Sequence, residues 1–338
     1  MSAEARVIRA PNHLGDVVLA LPAIVADGAD VLVVRWLAPL LDMAGVTAEV
    51  LPFDRGPSGF ARAMKELRGR RYAAGSLMTP AFSAAWLLRC GGVRHLRGTS
   101  TDGRGFLLRD RIDRKELAGR HRIDAFKLLL GQDVSTAPVS HRVVPPAERV
   151  ATWRTRLGGP DGTSRLVGLC PGANAPARRW PADRFGEVAR SMLAEGRPVV
   201  VLGGSREREV TGLVAGEAPG AVDLGGQTDL TDLAAILSLC DLVLTNDTGP
   251  MHLAGAVGTP TVTLWGSSDP REVRQLGAPD LPVTGADLPC KPCCRNHCHR
   301  RGRGTLLADA KEECMRLIDV QDVYDAAHAA SGRRRVDE

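Results

Sequence analysis

The run T-N-D-T-G-P-M-H at residues 245–252 ends an apolar stretch with a carboxylate, a hydroxyl, a glycine and an imidazole in close succession. Proline at position 250 suits the first turn of a helix, where its missing N–H is no loss. Unpaired amides at such a helix start, joined by the Thr248 hydroxyl, form an anion site bordered by Asp247, Gly249, Pro250, Met251 and His252. His252 taken alone also reads as a packing histidine. A second run, P-G-A-N-A-P-A-R-R-W-P at 171–181, joins small residues that admit a ligand close to the backbone with two consecutive arginines. Guanidinium forks match phosphate oxygens, so Pro171, Gly172, Asn174, Arg178 and Arg179 are read as phosphate-facing; a solvated turn anchored by Trp180 is the alternative. A third loop, G-G-S-R-E at 203–207, offers Gly203 for a turn and Glu207 as an acceptor for ribose hydroxyls. The fourth, N-H-L-G-D at 12–16, presents Gly15 and the Asp16 carboxylate. One glycine cannot make the G-x-G-x-x-G fingerprint of dinucleotide binding, which sets a nicotinamide cofactor aside. Spacing alone leaves Asp16 either a catalytic carboxylate or a residue favoured by the helix dipole.

Each loop needs a strand before it and a helix after it, and the sequence supplies them. Apolar strand-like segments are expected at 6–10, 30–36, 48–53 and 73–78, with a helix over 60–67. Farther on, strands are expected at 166–170, 198–202, 241–245 and 261–265, and helices at 181–195, 230–240 and 249–257. In the 181–195 helix, Phe185, Val188, Ala189, Met192 and Leu193 recur at i, i+3, i+4, i+7 and i+8. Strands alternating with helices imply parallel sheets with right-handed crossovers. Ligands in such sheets bind beyond the carboxyl ends of the strands, which is where all four loops fall. Together they suggest a nucleotide diphosphate on the second half and a carboxylate presented by the first. Three prolines (Pro138, Pro145, Pro146) mark 132–149 as a linker. The expected domains are therefore 1–145, 146–320 and a C-terminal helix and tail over 321–338.

The composition bounds the function class. At 338 residues the chain suits two α/β domains, each of roughly 150–170 residues. Hydrophobic content of 44% and charged content of 25% are ordinary globular values, which exclude a disordered or fibrous chain. No apolar run approaches the length of a membrane span. The first nine residues lack a signal-peptide pattern, so a cytoplasmic chain is expected. A net charge of +5 suits phosphorylated substrates or peripheral contact with an anionic membrane. With aromatics at 4% and no recognition module, nucleic acid is not an expected partner.

Four blocks carry a resemblance. They are R-A-P-N-H-L-G-D-V-V-L-A-L-P-A at 9–23, the 171–181 run, D-L-T-D-L-A-A-I-L followed by D-L-V-L-T-N-D-T-G-P-M-H-L-A-G within 229–255, and G-T-P-T-V-T-L-W-G-S-S-D-P at 258–270. Spanning most of the chain in family order, they resemble glycosyltransferase family 9, the ADP-heptose:lipopolysaccharide heptosyltransferases, and its heptosyltransferase II branch more than heptosyltransferase I. The resemblance implies a GT-B architecture: two Rossmann-like, doubly wound domains facing across a cleft, with a C-terminal helix that often crosses back to the first. It implies inverting, metal-independent transfer from an ADP-activated heptose to an acceptor hydroxyl, with no cofactor required. It places the general base at Asp16, a diphosphate cation at Arg178 where the family usually has lysine, the donor turn at Asp247, Thr248, Gly249 and His252, and a ribose contact at Glu207. The first domain would hold the acceptor, a phosphorylated sugar or lipid-anchored glycan at the inner face of the cytoplasmic membrane. Seven arginines there (Arg94, Arg97, Arg104, Arg109, Arg111, Arg120, Arg122) would either meet it or form a solvated basic surface. A different acceptor, a sugar-nucleotide epimerase and a non-catalytic nucleotide-sugar module are the competing readings.

Eight cysteines in a cytosolic chain call for an explanation other than disulfides. Cys90, Cys170 and Cys240 are isolated and read as small buried hydrophobes. Cys290, Cys293, Cys298 and Cys314, with Cys294, His297 and His299 beside them, could form a tetrahedral structural zinc site or simply pin a loop as reduced thiols.

Overall fold

The computed structural model describes residues 5–158, 165–298 and 312–331. Two units divide between Val143 and Val144, inside the proline-bearing stretch. The first holds six parallel strands: β1 (Arg6–Arg9), β2 (Asp30–Val34), β3 (Val50–Phe53), β4 (Ala74–Leu77), β5 (His95–Thr99) and β6 (Asp110–Ile112), in the order β3-β2-β1-β4-β5-β6. The second holds β7 (Val167–Cys170), β8 (Val199–Val201), β9 (Val222–Asp223), β10 (Leu242–Asn246), β11 (Thr261–Trp265) and β12 (Asp280–Thr284), ordered β12-β11-β10-β7-β8-β9. Counted from its own first strand, each sheet has the same doubly wound order. The reversal falls between β1 and β4 in one and between β7 and β10 in the other. These are the two Rossmann-like units of the expected GT-B chain.

Strands buried on both faces read as continuous apolar runs, and β7, β10 and β11 are buried at every residue. The first unit's α1 (Leu14–Asp27) follows β1, and nine of its fourteen residues are buried. Its α2 (Pro57–Arg70) extends the expected 60–67 helix to both sides. In the second unit, α3 (Ala182–Ala194) buries Phe185, Val188, Ala189 and Met192, the stripe seen in the sequence. The eight-residue α4 (Gly249–Ala256) follows β10. The C-terminal helix α5 (Val320–Ala330) buries Val323, Ala327 and Ala330 in the second unit's own core, beside Trp180 and Phe185.

Some boundaries moved for physical reasons. β2 stops at Val34 because Arg35–Leu37 coils into a short helix that leaves Trp36 exposed. β5, with the sequence HLRGT, has no apolar run to announce it; its Arg97 guanidinium donates to the carbonyls of Leu128 and Leu129, both at 3.0 Å. No helix among the described residues is long and apolar enough to cross a membrane.

The first residue of β12 carries a half-buried acid. Asp280 Oδ1 accepts from the Thr261 and Thr263 hydroxyls, both at 2.7 Å, while Oδ2 meets no partner. Burial pushes this carboxyl's pKa up, against the opposing pull of the two hydroxyls and Arg274. The folded state therefore holds this proton better than the unfolded chain, whose aspartates titrate near ~3.9. Asp280's contribution to stability falls as pH rises from about 4 through the raised value and stays reduced above it. Asp280→Asn keeps an oxygen for both threonines and loses the titration. As pH rises from 4, urea midpoints are expected to shift in the variant's favour relative to the native chain and then level off above the raised value; parallel profiles would contradict this.

Candidate functional site

At the reversal of the second sheet, the loop after β7 and the turn after β10 are locked together by one buried amide. Asn246 Nδ2 donates to the Pro171 carbonyl at 2.8 Å, and its Oδ1 accepts the Trp180 backbone N–H at 3.1 Å. Beside that clamp, Arg178 Nη1 lies 3.2 Å from Asp247 Oδ2, with the arginine side chain 32% and the aspartate 4% exposed. A buried carboxylate is tolerated only when paired, so Asp247 holds Arg178 at the loop's inner face. Arg179 points elsewhere and spends its Nε on the Ala173 carbonyl at 2.7 Å.

Glu207 sits in the short turn after β8 and accepts the Gly204 N–H at 2.8 Å. A Cβ on Gly172 would meet Glu207 Oε1 at 2.0 Å, so glycine at 172 is what lets this carboxylate approach the loop. Gly203 is crowded too: a Cβ there would lie 2.8 Å from Thr211. Asn174 lies exposed on the same loop. Thr248 caps α4 through its extended backbone, with no side-chain cap bond. Pro250 has no N–H and the Met251 amide donates to the Thr248 carbonyl at 3.1 Å. The anion-facing donors are thus narrower than three consecutive amides: the Gly249 N–H and the Thr248 hydroxyl. Met251 and His252 are buried behind them.

In the first unit Asp16 occupies the first turn of α1, immediately after β1, beside buried Gly15. Its side chain is 35% exposed and lies 3.7 Å from Arg122 Nη1. Arg122 begins the helix Arg122–Leu129, which packs on α1. The sequence singled out Arg122 only as one cation among seven; its pairing with Asp16 needs the fold. Two of those seven are not surface groups. Arg104 is fully buried and donates to the Thr99 carbonyl at 2.9 Å and the Thr79 carbonyl at 2.5 Å; burial lowers its pKa to about 10. Arg97 is committed to Asp110 and to the carbonyls of Leu128 and Leu129.

The described part of the cysteine segment includes Cys290, Cys293, Cys294, Cys298 and Cys314. Among the described residues no three of His, Cys, Asp and Glu group as metal ligands; His299 lies outside those residues. Cys314 is tucked against β11's exit, its Sγ 3.0 Å from where a Cβ on Gly266 would sit. Its thiol is pushed up to about 11 by burial above all, with Lys291 lowering it and the neighbouring Cys293, Cys298 and Cys290 raising it. The segment braces the arginine loop through its backbone. The Asn296 carbonyl accepts the Ala177 N–H at 3.1 Å, one residue before Arg178, and the Ser267 carbonyl accepts the Cys294 N–H at 2.7 Å.

Known proteins fall in line with this geometry. The family described as "Glycosyltransferase family 9 (heptosyltransferase)" matches residues 60–302. The lipooligosaccharide heptosyltransferase 2 of Haemophilus influenzae is 26% identical over 261 residues, covering 72% of this chain and 75% of that protein. The solved Escherichia coli ADP-heptose lps heptosyltransferase II superposes with a TM-score of 0.79 at 20% identity, over 96% of this chain and 98% of that one. A family 9 glycosyl transferase from Veillonella parvula gives 0.79 at 23% identity, over 98% of both chains. Both likenesses show the fold.

Asn246 makes one stability test available. Asn246→Leu fills similar volume but strands the Pro171 carbonyl and the Trp180 amide, at about 1–3 kcal/mol for each group left unpaired. Chemical denaturation should show that loss, and a variant as stable as the native chain would remove Asn246 from the role of clamp.

Proposed function

The chain belongs to glycosyltransferase family 9, and on that premise we propose that it transfers a heptose, with inversion, from an ADP-activated donor to a sugar hydroxyl of the lipopolysaccharide inner core. The names of its relatives support the substrate pair: two are heptosyltransferases 2, from Haemophilus influenzae and Escherichia coli, and a solved neighbour is an ADP-heptose heptosyltransferase. In this reading the first domain (1–145) holds the acceptor, the second (146–320) holds the donor, and 321–338 forms the closing helix and tail. The enzyme works in the cytoplasm and meets its lipid-anchored acceptor at the inner face of the membrane. Of the seven arginines singled out in the sequence, Arg94, Arg109, Arg111 and Arg120 are left for that contact.

The observation that carries the reading is Asp16: a partly exposed carboxylate at the carboxyl edge of the first sheet's reversal, oriented by Arg122 at 3.7 Å. An acceptor hydroxyl is a poor nucleophile. A positioned carboxylate takes its proton as the new bond forms, an effect worth roughly 10²–10⁴-fold in rate. The sugar–phosphate bond breaks on the opposite face, and negative charge grows on the departing ADP. Arg178, the Gly249 amide and the Thr248 hydroxyl receive that charge as donors fixed in advance. Glu207 takes the ribose hydroxyls, while Pro171, Gly172, Asn174 and Gly203 let the backbone close on the nucleotide. Asp247 is a positioning residue, holding Arg178; Met251 and His252 pack beneath the turn, and Arg179 and Gly15 shape their loops. This donor set meets the leaving group's charge without a metal-routed step.

ADP release from ADP-heptose, with and without a heptose-deficient lipopolysaccharide core, tests the reaction. Release that depends on the core is expected, and Asp16→Ala should fold, bind ADP and lose transfer by about 10²–10⁴-fold. Normal turnover by that variant would refute the base. Arg178→Ala leaves the Asp247 carboxylate buried without its cation, so ADP affinity should fall at least about tenfold, with partial recovery in Arg178→Lys. Unchanged ADP binding would remove Arg178 from the donor site.

A further inference from the structure

Arg9 is the last residue of β1 and only 3% exposed. Charged groups this deep are ordinarily met by an opposite charge, and among the described residues Arg9 has none. Its Nη1 donates to the Ala10 carbonyl and its Nη2 to the Asn12 side-chain oxygen, both neutral, while Nε meets nothing. The Phe53 ring, at the end of β3, covers one face of the guanidinium at 4.6 Å. Two residues beyond Phe53 stands Arg55, exposed and without an ion pair among the described residues. Burial, and secondarily the charge of Arg55, lowers the Arg9 pKa to about 9. The nearby carboxylates are already engaged: Asp54 with Arg35 at 2.9 Å and Arg62 at 3.0 Å, and Asp16 with Arg122. Arg55 thus follows directly from the strand end whose ring covers Arg9, and among the described residues neither arginine has an ion-pair partner.

That place is at the ligand edge. Arg9, Asn12 and Asp16 follow one another through the end of β1, its loop and the first turn of α1. Arg55 follows β3 at the same carboxyl edge. The first unit carries 21 Lys and Arg against 14 Asp and Glu, a net +7, so the second carries −2 of the chain's +5.

We propose that Arg9 and Arg55 form an oxyanion subsite that grips a phosphate group of the acceptor and so sets which of its hydroxyls reaches Asp16. The inference rests on the transferase reading for the identity of the ligand, though not for the existence of the site. A phosphate monoester carries about −1.5 to −2 at neutral pH, the complement of two guanidiniums, where a single carboxylate would leave one unmet. Arg9 is already immobilised by Asn12 and Phe53, so little side-chain freedom is lost when the anion arrives. Arg55 is free to close over it from the solvent side.

The test uses the full chain saturated with ADP, so that the second unit's diphosphate site is filled before any phosphate is added. Inorganic phosphate is titrated by calorimetry against chloride at matched ionic strength. Saturable phosphate binding is expected, weakened at least about tenfold in Arg55→Gln and partly restored in Arg55→Lys. Arg55 is exposed, so its replacement does not endanger the fold as replacing Arg9 would. In turnover assays phosphate should compete with the acceptor, and Arg55→Gln should raise KM for the acceptor more than it changes kcat. Phosphate binding that is absent, or indifferent to Arg55→Gln, overturns the site. Inhibition that acceptor cannot relieve would make it a site for free anion and overturn the acceptor assignment. If the chain transfers nothing to the core acceptor, the binding arm still decides the site, separately from the failed reaction.

Discussion

A parallel sheet whose strand order reverses sends two neighbouring crossovers to opposite faces, and the loops leaving those strands part and open a crevice at their carboxyl ends. That constraint acts twice in this chain, between β1 and β4 and between β7 and β10. A crevice is useful only if its two walls keep their spacing. In the second unit a single buried amide does this, since Asn246 bonds the Pro171 carbonyl and the Trp180 amide from one side chain. Pro171 and Trp180 bracket the loop that carries Arg178, and Asp247 follows Asn246 directly. The geometry of the groups proposed to meet the anion is inherited from that clamp.

Charge in both units is placed at a cost to stability that suits a ligand. Asp247 is nearly inaccessible and is held by Arg178, which keeps about a third of its surface open. The planar guanidinium can face the carboxylate and still present donors outward, which a lysine ammonium does less well. Arg9 is the sharper case, because its acceptors are all neutral. Arg104 shows how a purely structural buried arginine differs: it is wrapped by backbone carbonyls and the Thr99 hydroxyl, and the charge acting on it is the opposite one of Asp102.

The cysteine-bearing segment joins the same scheme. Backbone bonds from Asn296 to Ala177 and from Cys294 to Ser267 tie it to the arginine turn and to the exit of β11. Cys314 packs against the second unit's hydrophobic core.

The doubly wound class, most of the second unit's strands and the amphipathic stripe of α3 were legible because apolar runs and 3.6-residue periodicity are local signals. The placement of the four loops, with Asp16, Arg178, Glu207 and Asp247 on them, beyond strand ends was legible because small residues, helix starters and charges at strand ends leave a mark in a single line of sequence. β5 was not, since its stabilising contacts come from across the sheet and from distant carbonyls. Nor was the sorting of the arginines: Arg97 and Arg104 differ from Arg109 or Arg111 only in what surrounds them once folded. The Arg122–Asp16 pair spans 106 positions, and the Asn246 clamp joins residues 66 and 75 apart. Sequence alone determined which residues stand at the ends of the strands. Which of them meet, which are spent on backbone and which keep an unpaired charge was decided by tertiary structure, because burial and partner distance exist only after the chain has closed on itself.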